Sequence, residues 1–412
     1  MSLSIEWVKN LPQPKGILRE IQINARDSIL KEGLPTKNIE SWRLTNFEKL
    51  DRFFHLPHYL SSINKKASSE TISAPKPNSG IRLIIKQDGH NFEDTNLPLG
   101  IQLLNNKSLE KHLNNNKYAE TEKSSLQEKI NHALTSQILA LKISGEKVPP
   151  IELVVDCNYD SLFASKILIF IEENTKCELL LVSSGSNNSA NSQLLELHIG
   201  KNAEVKHGWI SIGEKNSIWL GNLSVRQEVD SNYRLTSIQS GWDLCRFEPK
   251  IIQLNGKAKT LIKSLQFSRD KQQLATHSYV RFDGAEGSLD QLQKSISSDN
   301  SHSIFNGAIE VPRVAQKTNA AQLSRNLLMS KKARIDTKPE LEIIADDVRC
   351  AHGATISQLQ EDELFYLKSR GISHKQATKL LLRGYCQEIL NTLPVEAKRW
   401  KVLQSLLDDP KE

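Results

Sequence analysis

The sequence predicts a mainly β protein with a β-helix at its centre and α-helical segments at both ends. Short apolar segments recur between about residues 150 and 350, with starts roughly 10–18 residues apart, a spacing typical of all-β sandwiches, barrels and solenoids. Helical spacing of apolar residues is confined to the regions before and after this stretch. A repeated turn pattern between the apolar segments favours a solenoid over the other two architectures.

The first region, residues 1–145, is predicted to be helical at its start and mixed afterwards. Four apolar residues fall on one face of a predicted helix, namely Leu18, Ile21, Ala25 and Ile29. Pro14 precedes this helix and Gly33 follows it, as start and stop signals do. Residues 61–80 are rich in Ser, Lys and Pro, which predicts a flexible linker. Beyond it, the pattern predicts a strand over 81–86 and a helix over 124–142.

The second region, residues 146–352, is the predicted β-helix core. Its turns repeat a polar turn, one small residue, one polar residue and then an apolar or β-branched residue, as in ENTKCELL, GKNAEVKH, LNGKAKTL and SKKARIDT. The small residues are Cys177, Ala203, Ala258 and Ala333. We interpret them as the tight corners of successive coils. Two-residue hairpin turns of the Asn-Gly type are rare between these segments, which argues against hairpin sheets.

The third region, residues 353–412, is predicted to be helical. Acidic residues over 361–363 and basic residues at Lys368 and Arg370 match the dipole of one helix, and Gly371 provides its left-handed cap. Ser373, with Gln376 three residues later, forms a capping box that opens a second helix. A third helix follows Pro394, and its apolar stripe consists of Val402, Leu403, Leu406 and Leu407.

Composition excludes several classes of protein. The net charge of +6 is spread over 54 basic and 48 acidic residues without a basic stripe, so nucleic acid is not an expected partner. The five cysteines form no C-x-x-C pair, which argues against a zinc knuckle or a self-contained cluster site and indicates a reducing compartment. We expect a cytoplasmic protein without a membrane segment, because the N-terminus lacks a signal pattern and no apolar run reaches roughly 18 residues. Phosphate-binding loops and G-x-S-x-G elbows are also missing.

Four motifs together resemble the SufB/SufD family of iron–sulfur cluster assembly proteins. They are GLPTKNIESWRLT (33–45), DTKPELEI (336–343), DDVRCAHGAT (346–355) and LFYLKSRGI (364–372). The resemblance implies a right-handed parallel β-helix flanked by α-helical N- and C-terminal domains. Within the family, the tripeptide 351–353 (Ala-His-Gly) favours the SufD branch, since SufB proteins carry glutamates on either side of the matching histidine.

The resemblance also implies a role and partners. A SufD-type chain is a non-catalytic scaffold that pairs with SufB through the β-helix and binds the SufC ATPase through its C-terminal helices. It is linked to iron acquisition, and no cofactor is expected to bind stably to the chain alone; iron or a nascent cluster is held transiently in the complex. Self-association of the isolated chain stays open. The alternatives are a SufB-like principal scaffold or, from a different class, a β-helical polysaccharide-active enzyme.

Two groups of residues are candidate sites, and no catalytic residue is predicted. His352 and Cys350 are candidate iron ligands shared with SufB; on a strand, positions i and i+2 point to the same face, so both side chains can converge. A buried structural role for Cys350 is weighed equally. The pair at 346–347 (Asp-Asp) is interpreted as a solvated turn rather than a ligand set. Phe365, Tyr366, Arg370 and Gly371 are the candidate SufC-binding residues, with an alternative role in the helical core.

Overall fold

The computed structural model describes residues 3–58, 77, 79–86, 89–92, 97–114, 124–157 and 160–407. The chain is mainly β and forms a parallel β-solenoid of about eight turns with helices at both termini, which confirms the predicted fold class. The predicted linker over 61–80 lies largely outside the described residues. None of the helices in the described part of the chain is both long and apolar enough to span a membrane.

The helices in chain order are α1 (Leu3–Lys9), α2 (Arg19–Glu32), α3 (Phe47–His55), α4 (Asn106–Asn114), α5 (Leu126–Leu134), α6 (Glu361–Ser369), α7 (His374–Leu390) and α8 (Val402–Leu407). Short 3-10 turns occupy Gly16–Leu18, Glu40–Trp42 and Val395–Trp400. The strands before the regular coils are β1 (Ile81–Lys86), β2 (Gly89–Phe92), β3 (Ile101–Leu103), β4 (Ile138–Ile143) and β5 (Ile151–Cys157).

The strands of the regular coils alternate between two sheets. They are β6 (Leu162–Ile171), β7 (Lys176–Gly185), β8 (Ala190–Ile199), β9 (Glu204–Gly213), β10 (Ile218–Gln227), β11 (Asn232–Ser240), β12 (Leu244–Gln253), β13 (Lys259–Ser268), β14 (Gln273–Phe282), β15 (Ser288–Ser297), β16 (His302–Val311), β17 (Asn319–Leu328), β18 (Arg334–Ile343) and β19 (Arg349–Ser357). Sheet A has the order β18-β16-β14-β12-β10-β8-β6-β4-β3, and sheet B has the order β19-β17-β15-β13-β11-β9-β7-β5-β1-β2. Neighbouring coil strands are parallel, whereas β2 and β3 pair antiparallel with β1 and β4.

The corners between the sheets share a left-handed backbone residue. These residues have φ between 54° and 62° and are mostly Asn or Asp, including Asn174, Asn188, Asn202, Asn216, Asp230, Asp270 and Asp299. Asn and Asp tolerate this conformation better than other residues with a Cβ. Corner side chains also bond from coil to coil, since Asn202 Nδ2 donates to Asn174 Oδ1 at 2.8 Å. The corner residues of successive coils are therefore stacked in a ladder of side-chain hydrogen bonds.

The predicted corner role of Cys177 is wrong. Cys177 lies inside β7, in register with Val205 on β9. The buried residue that stacks on Ala203 at the corner is instead Thr175, two positions earlier, and the Glu204 N–H donates to its carbonyl oxygen at 2.8 Å. The turn pattern indicates where each of these coils turns, but it does not predict which residues of successive coils lie on top of one another.

The interior of the solenoid changes character along its axis. Its first coils are filled by aliphatic side chains, including Leu153, Ile169, Leu181 and Leu197. Aromatic rings follow: Trp219 stacks on Phe247 with centroids 5.6 Å apart and meets Trp209 edge-on at 5.5 Å. Beyond them, many buried side chains are polar, among them Gln239, Ser264, Gln266, Gln291, Gln293, Ser295, Gln322, Ser324 and Asn326. The later coils thus have a hydrogen-bonding interior.

The N-terminal helices cover part of sheet A. Trp7, Ile29, Phe53 and Ile130 pack against strand residues such as Leu220. The predicted helix over 124–142 is too long, because α5 ends at Leu134 and β4 follows. The reason is the alternation of Leu139, Leu141 and Ile143, which are all buried in the solenoid core, whereas a helix would turn them to different sides. The strand predicted over 81–86 is present as β1.

The C-terminal helices cover part of sheet B. Apolar residues of α7 and α8, including Leu382, Ile389 and Leu406, pack on Ile210, Ile238 and other outward-facing residues of sheet B. Solenoid strands extend beyond the predicted core of 146–352, because β1 and β4 precede residue 146 and β19 ends at Ser357. The ladder therefore continues past His352 before the chain turns into α6.

Candidate functional site at the open end of the solenoid

The last two strands leave one end of the solenoid open. In the described part of the chain, β18 pairs only with β16 and β19 only with β17, so each has one free edge. These strands are ten and nine residues long, and β19 is exposed along most of its length. A long strand with a free edge presents unpaired N–H and C=O groups that can pair with another chain.

The backbone alternation shows which groups face this edge. The Arg349 N–H donates to the Thr318 carbonyl oxygen at 2.9 Å, so residue 349 bonds toward β17. In a parallel ladder the bonding direction alternates from one residue to the next. The N–H and C=O groups of Cys350, His352 and Ala354 therefore face the free edge.

The side chains of Cys350 and His352 share one side of β19. Cys350 is in register with Ala320 and His352 with Gln322, and both partners are buried inside the solenoid. The two candidates thus lie on the interior side of the last coil, where no further coil covers them. His352 is exposed and Cys350 is half-buried. The expectation that alternation brings them to one face agrees with this register.

The environment of Cys350 disfavours its thiolate in the chain alone. Partial burial raises the pKa of the Cys350 thiol, and a hydrogen bond with the Ala320 backbone only partly offsets this effect. The other four cysteines are buried, and no disulfide links any of the five. Among the described residues, no group of three or more His, Cys, Asp and Glu side chains is arranged to hold a metal ion.

The pair at 346–347 forms the corner between β18 and β19. Both residues are exposed. The Asp347 carbonyl oxygen accepts from the Lys317 N–H at 2.6 Å, and the Asp347 N–H donates to Gln316 Oε1 at 3.0 Å. These contacts use the backbone of Asp347, in keeping with its interpretation as a solvated turn.

The second candidate group lies on α6, which has no buried residue. Phe365 is 72 % exposed and Tyr366 is 57 % exposed, which is unusual for large aromatic side chains. The Arg370 guanidinium lies over the Tyr366 ring at 5.3 Å from its centroid. Gly371 ends the helix at φ +82°, a conformation that other residues rarely adopt. The exposed aromatic face does not belong to the helical core.

A groove beside these residues was not predicted from the sequence. Its volume is about 1070 Å³, and it is lined by α7, α8 and the turn between them. Its lining combines apolar side chains with five basic residues, Lys206, Lys379, Arg383, Lys398 and Lys401. None of the described residues that line it is acidic. Except for Lys206 on β9, its lining residues lie within 372–407, and it forms because α7 and α8 pack side by side over sheet B.

Two ion pairs hold the C-terminal helices in place, and the one at Glu152 is largely buried. Lys294 on β15 pairs with Glu388 of α7 at 2.5 Å and lies 4.3 Å from the centre of the Tyr385 ring. Glu152 on β5 accepts from Arg399 at 2.6 Å and from the Trp400 ring N–H at 2.7 Å. With α7 fixed in this way, α6 is presented at the surface in a defined position.

Comparisons with known proteins agree with these motifs. Residues 155–385 match the family described as SUF system FeS cluster assembly, SufBD core domain. An iron–sulfur cluster assembly SufBD family protein of Synechocystis is 38 % identical over 52 % of this chain and 47 % of its own length. The SufD of Escherichia coli is 39 % identical over 37 % of this chain and 36 % of its length. The SufD of Bacillus subtilis is 38 % identical over 28 % and 26 %. The chain thus spans about half or less of the length of these relatives in the matched regions.

Proposed function

Because the chain belongs to the SufB/SufD family of the SUF iron–sulfur cluster assembly system and is of the SufD type, we propose that it is a non-catalytic scaffold subunit of the SufBCD complex. In this proposal it pairs with SufB through the open end of the solenoid and binds the SufC ATPase through its C-terminal helices. The observation that carries the proposal is the pair of long free strand edges on β18 and β19. The polysaccharide-active alternative is not retained, because the matching family is one of cluster assembly.

The geometry of the free edges supports the proposed pairing with SufB. A second solenoid of similar cross-section can add its own strands to β18 and β19 and satisfy their backbone groups. The same contact covers apolar side chains near this end that are exposed in the single chain, such as Ile344 (55 %) and Ile356 (47 %). The joint would continue the ladder from one subunit into the other.

The cargo, iron or a nascent cluster, would be held at that joint. Imidazole and thiolate are suitable iron ligands, and His352 and Cys350 lie on one side of the strand that forms the joint. The remaining ligands would come from SufB. In this proposal, iron would therefore be acquired at the interface between the two subunits. Because burial raises the pKa of Cys350, the positive charge of an arriving metal ion would favour the loss of its proton.

SufC would dock on α6 and the adjoining part of α7. Phe365 and Tyr366 provide exposed aromatic area, and Arg370 provides a planar guanidinium able to grip carboxylates or carbonyl oxygens. The five basic residues of the groove on α7 and α8 are a second feature of the C-terminal helices that a partner could contact. All five cysteines are free thiols, which suits the cytoplasm as the proposed compartment.

The test is His352→Ala in the complex reconstituted with SufB and SufC, with assembly of the complex and cluster yield scored separately. We expect intact assembly and a cluster yield at least about tenfold lower, since loss of a ligand costs no less than loss of its supporting contact. His55→Ala is the matched control, because His55 is exposed on the distant helix α3. Intact assembly with an undiminished cluster removes the ligand role of His352.

A second arm separates the SufD role from that of a principal scaffold. The chain is combined with SufC alone and supplied with iron and sulfide. A SufD-type subunit should assemble no cluster under these conditions, whereas a SufB-like scaffold should.

A further inference from the structure

A ladder of side-chain amides runs inside the solenoid and ends at His352. Gln291 on β15, Gln322 on β17 and His352 on β19 occupy the same position in three successive coils of sheet B. Both glutamines are only 2 % exposed. Successive coils lie about 4.8 Å apart, a distance over which stacked amides can bond directly.

One hydrogen bond of this ladder crosses the interior and one runs along the ladder. Gln291 Nε2 donates across to Ser278 Oγ on β14 of sheet A at 2.8 Å, and Gln322 Nε2 donates to Gln291 Oε1 at 2.9 Å. The Gln322 amide nitrogen therefore faces the preceding coil. Because the oxygen and nitrogen of a planar amide diverge from the same carbon, Gln322 Oε1 points away from that coil.

The opposite sheet holds the Gln322 amide in this orientation. Gly307 on β16 approaches from sheet A, and a Cβ on Gly307 would come within 2.4 Å of Gln322 Nε2. The missing side chain at Gly307 thus makes room for the amide nitrogen. The nitrogen is enclosed between Gly307 and Gln291, so the oxygen is left on the side of the open end.

The acceptor at the end of the ladder is unused. Gln322 Oε1 is buried and receives no hydrogen bond from any described residue. A buried acceptor without a donor is costly, so a donor in the next coil would be stabilised there. The in-register side chain in that coil is the imidazole of His352, which carries an N–H in its neutral form.

We propose that Gln322 is a positioning residue for His352. The two groups are not bonded in this structure, where His352 is exposed; when the ring turns inward, Gln322 Oε1 accepts one imidazole N–H, which selects one tautomer and one ring orientation and leaves the lone pair of the other ring nitrogen directed at the joint. A histidine ligand is usually supported in this way by an acceptor on its second nitrogen. The consequence for iron rests on the proposed ligand role of His352, whereas the tautomer selection does not.

The tautomer is measured on the full chain without metal. Ring-nitrogen NMR shifts of 15N-histidine-labelled chain, assigned with His352→Ala, give the tautomer ratio of His352 at pH about 9, where free histidine is neutral. We expect the ratio to differ from that of a histidine peptide by between about twofold and tenfold, the range for one hydrogen bond. A peptide-like ratio in the unsubstituted chain overturns the proposal, and the His352→Ala variant serves only to assign the signal.

Variants then identify the acceptor. Gln322→Leu should return the ratio to the peptide value, and Gln322→Glu, which keeps an acceptor, should preserve it. Gln293→Leu is the matched control, because Gln293 is fully buried and also has an unused Oε1 but is in register with Ser324 and not with Gln322. An equal shift in Gln293→Leu and Gln322→Leu contradicts the proposal.

The effect on iron is measured as Fe²⁺ affinity of the complex with SufB and SufC. Gln322→Leu should weaken binding by about 10–100-fold, and Gln322→Glu should restore most of it. If His352→Ala leaves the affinity unchanged, the proposed ligand role fails, while the NMR result still decides the role of Gln322. If His352→Ala weakens binding and Gln322→Leu does not, only the positioning role fails.

Discussion

The two ends of the solenoid are built differently. At the first end each sheet finishes in a short antiparallel strand, with four residues in β2 and three in β3. At the last end each sheet finishes in a full-length parallel strand, with ten residues in β18 and nine in β19. The interior differs in the same sense, because it is aliphatic near the first end and largely polar near the last.

This difference supports the last end of the solenoid as the end that binds a partner. Proteins commonly blunt their edges with short strands, which is the arrangement at the first end. A long free edge above a polar interior is costly for an isolated chain, but it suits a surface that a second subunit completes. The four predictions that follow test this contrast, from the largest expected effect to the smallest.

Interior side chains should matter far more in the closed part than at the open end. Trp219 is fully buried among aromatic rings, so Trp219→Ala should lower the free energy of unfolding by about 3–5 kcal/mol. Ile356 lies on the interior side of β19 but is 47 % exposed, so Ile356→Ala should cost less than about 0.5 kcal/mol. Urea unfolding of the isolated chain measures both. Equal losses would mean that the last coil is already closed.

Blocking the free edge of β19 should weaken binding of the partner subunit without unfolding the chain. The Ala354 N–H faces the edge, so Ala354→Pro removes a donor for the partner while keeping the bonds to β17. The affinity for SufB should fall at least about tenfold, with stability of the chain changed by about 1 kcal/mol or less. Calorimetric titration with SufB provides the measurement. Ala354→Val keeps the N–H and should bind normally; unchanged binding by the proline variant would show that β19 is not paired.

The covered face of sheet A should show a pH dependence of stability that arises from one buried carboxyl group, Glu128 of α5. Burial, together with Glu248 and Glu196, raises the pKa of Glu128 from 4.5 to about 7 despite the opposing charge of Lys250. The folded chain therefore binds more protons than the unfolded chain between these values, and its stability falls as the pH rises through this window.

Glu128→Gln removes this dependence and keeps the capping box of α5 with Ser125. The variant should be more stable than the parent by about 1–2 kcal/mol at pH 8, with the difference shrinking toward pH 4. Urea unfolding at several pH values checks it. A constant difference across the series would show that Glu128 does not titrate in this window.

The smallest effect concerns thiol reactivity. Cys350 is half-buried whereas the other cysteines are buried, so alkylation of the folded chain should begin at Cys350. Its raised pKa makes the reaction slower than that of a free cysteine peptide and faster as the pH rises. Mass spectrometry of partially alkylated chain identifies the site. Binding of SufB should protect Cys350, and Cys350→Ser provides the blank; first labelling at another cysteine would contradict the contrast.

Local patterns in the sequence were sufficient for much of the fold. Ser373 does form a capping box with Gln376, and α2 ends at Gly33, because helix caps depend on residues a few positions apart. The coil strands could be predicted for the same reason, since alternation within ten residues decides which side chains point inward. The common face of Cys350 and His352 follows from that alternation too. Where two local patterns competed, as between α5 and β4, the prediction over 124–142 was wrong.

Stacking between coils could be decided only by the tertiary structure. Gln322 and His352 are 30 residues apart, and their register depends on every residue in the intervening turns and in β18. Adding or removing one residue in a turn would shift the register by one position. Each stacking partner would then be replaced by its neighbour, and the side chains would point to the opposite face of the sheet. The amino-acid sequence by itself therefore determined the β-helix, its helical ends and the family. The open end and the amide ladder that reaches it depend on long-range contacts, because they join residues whose proximity no local period encodes.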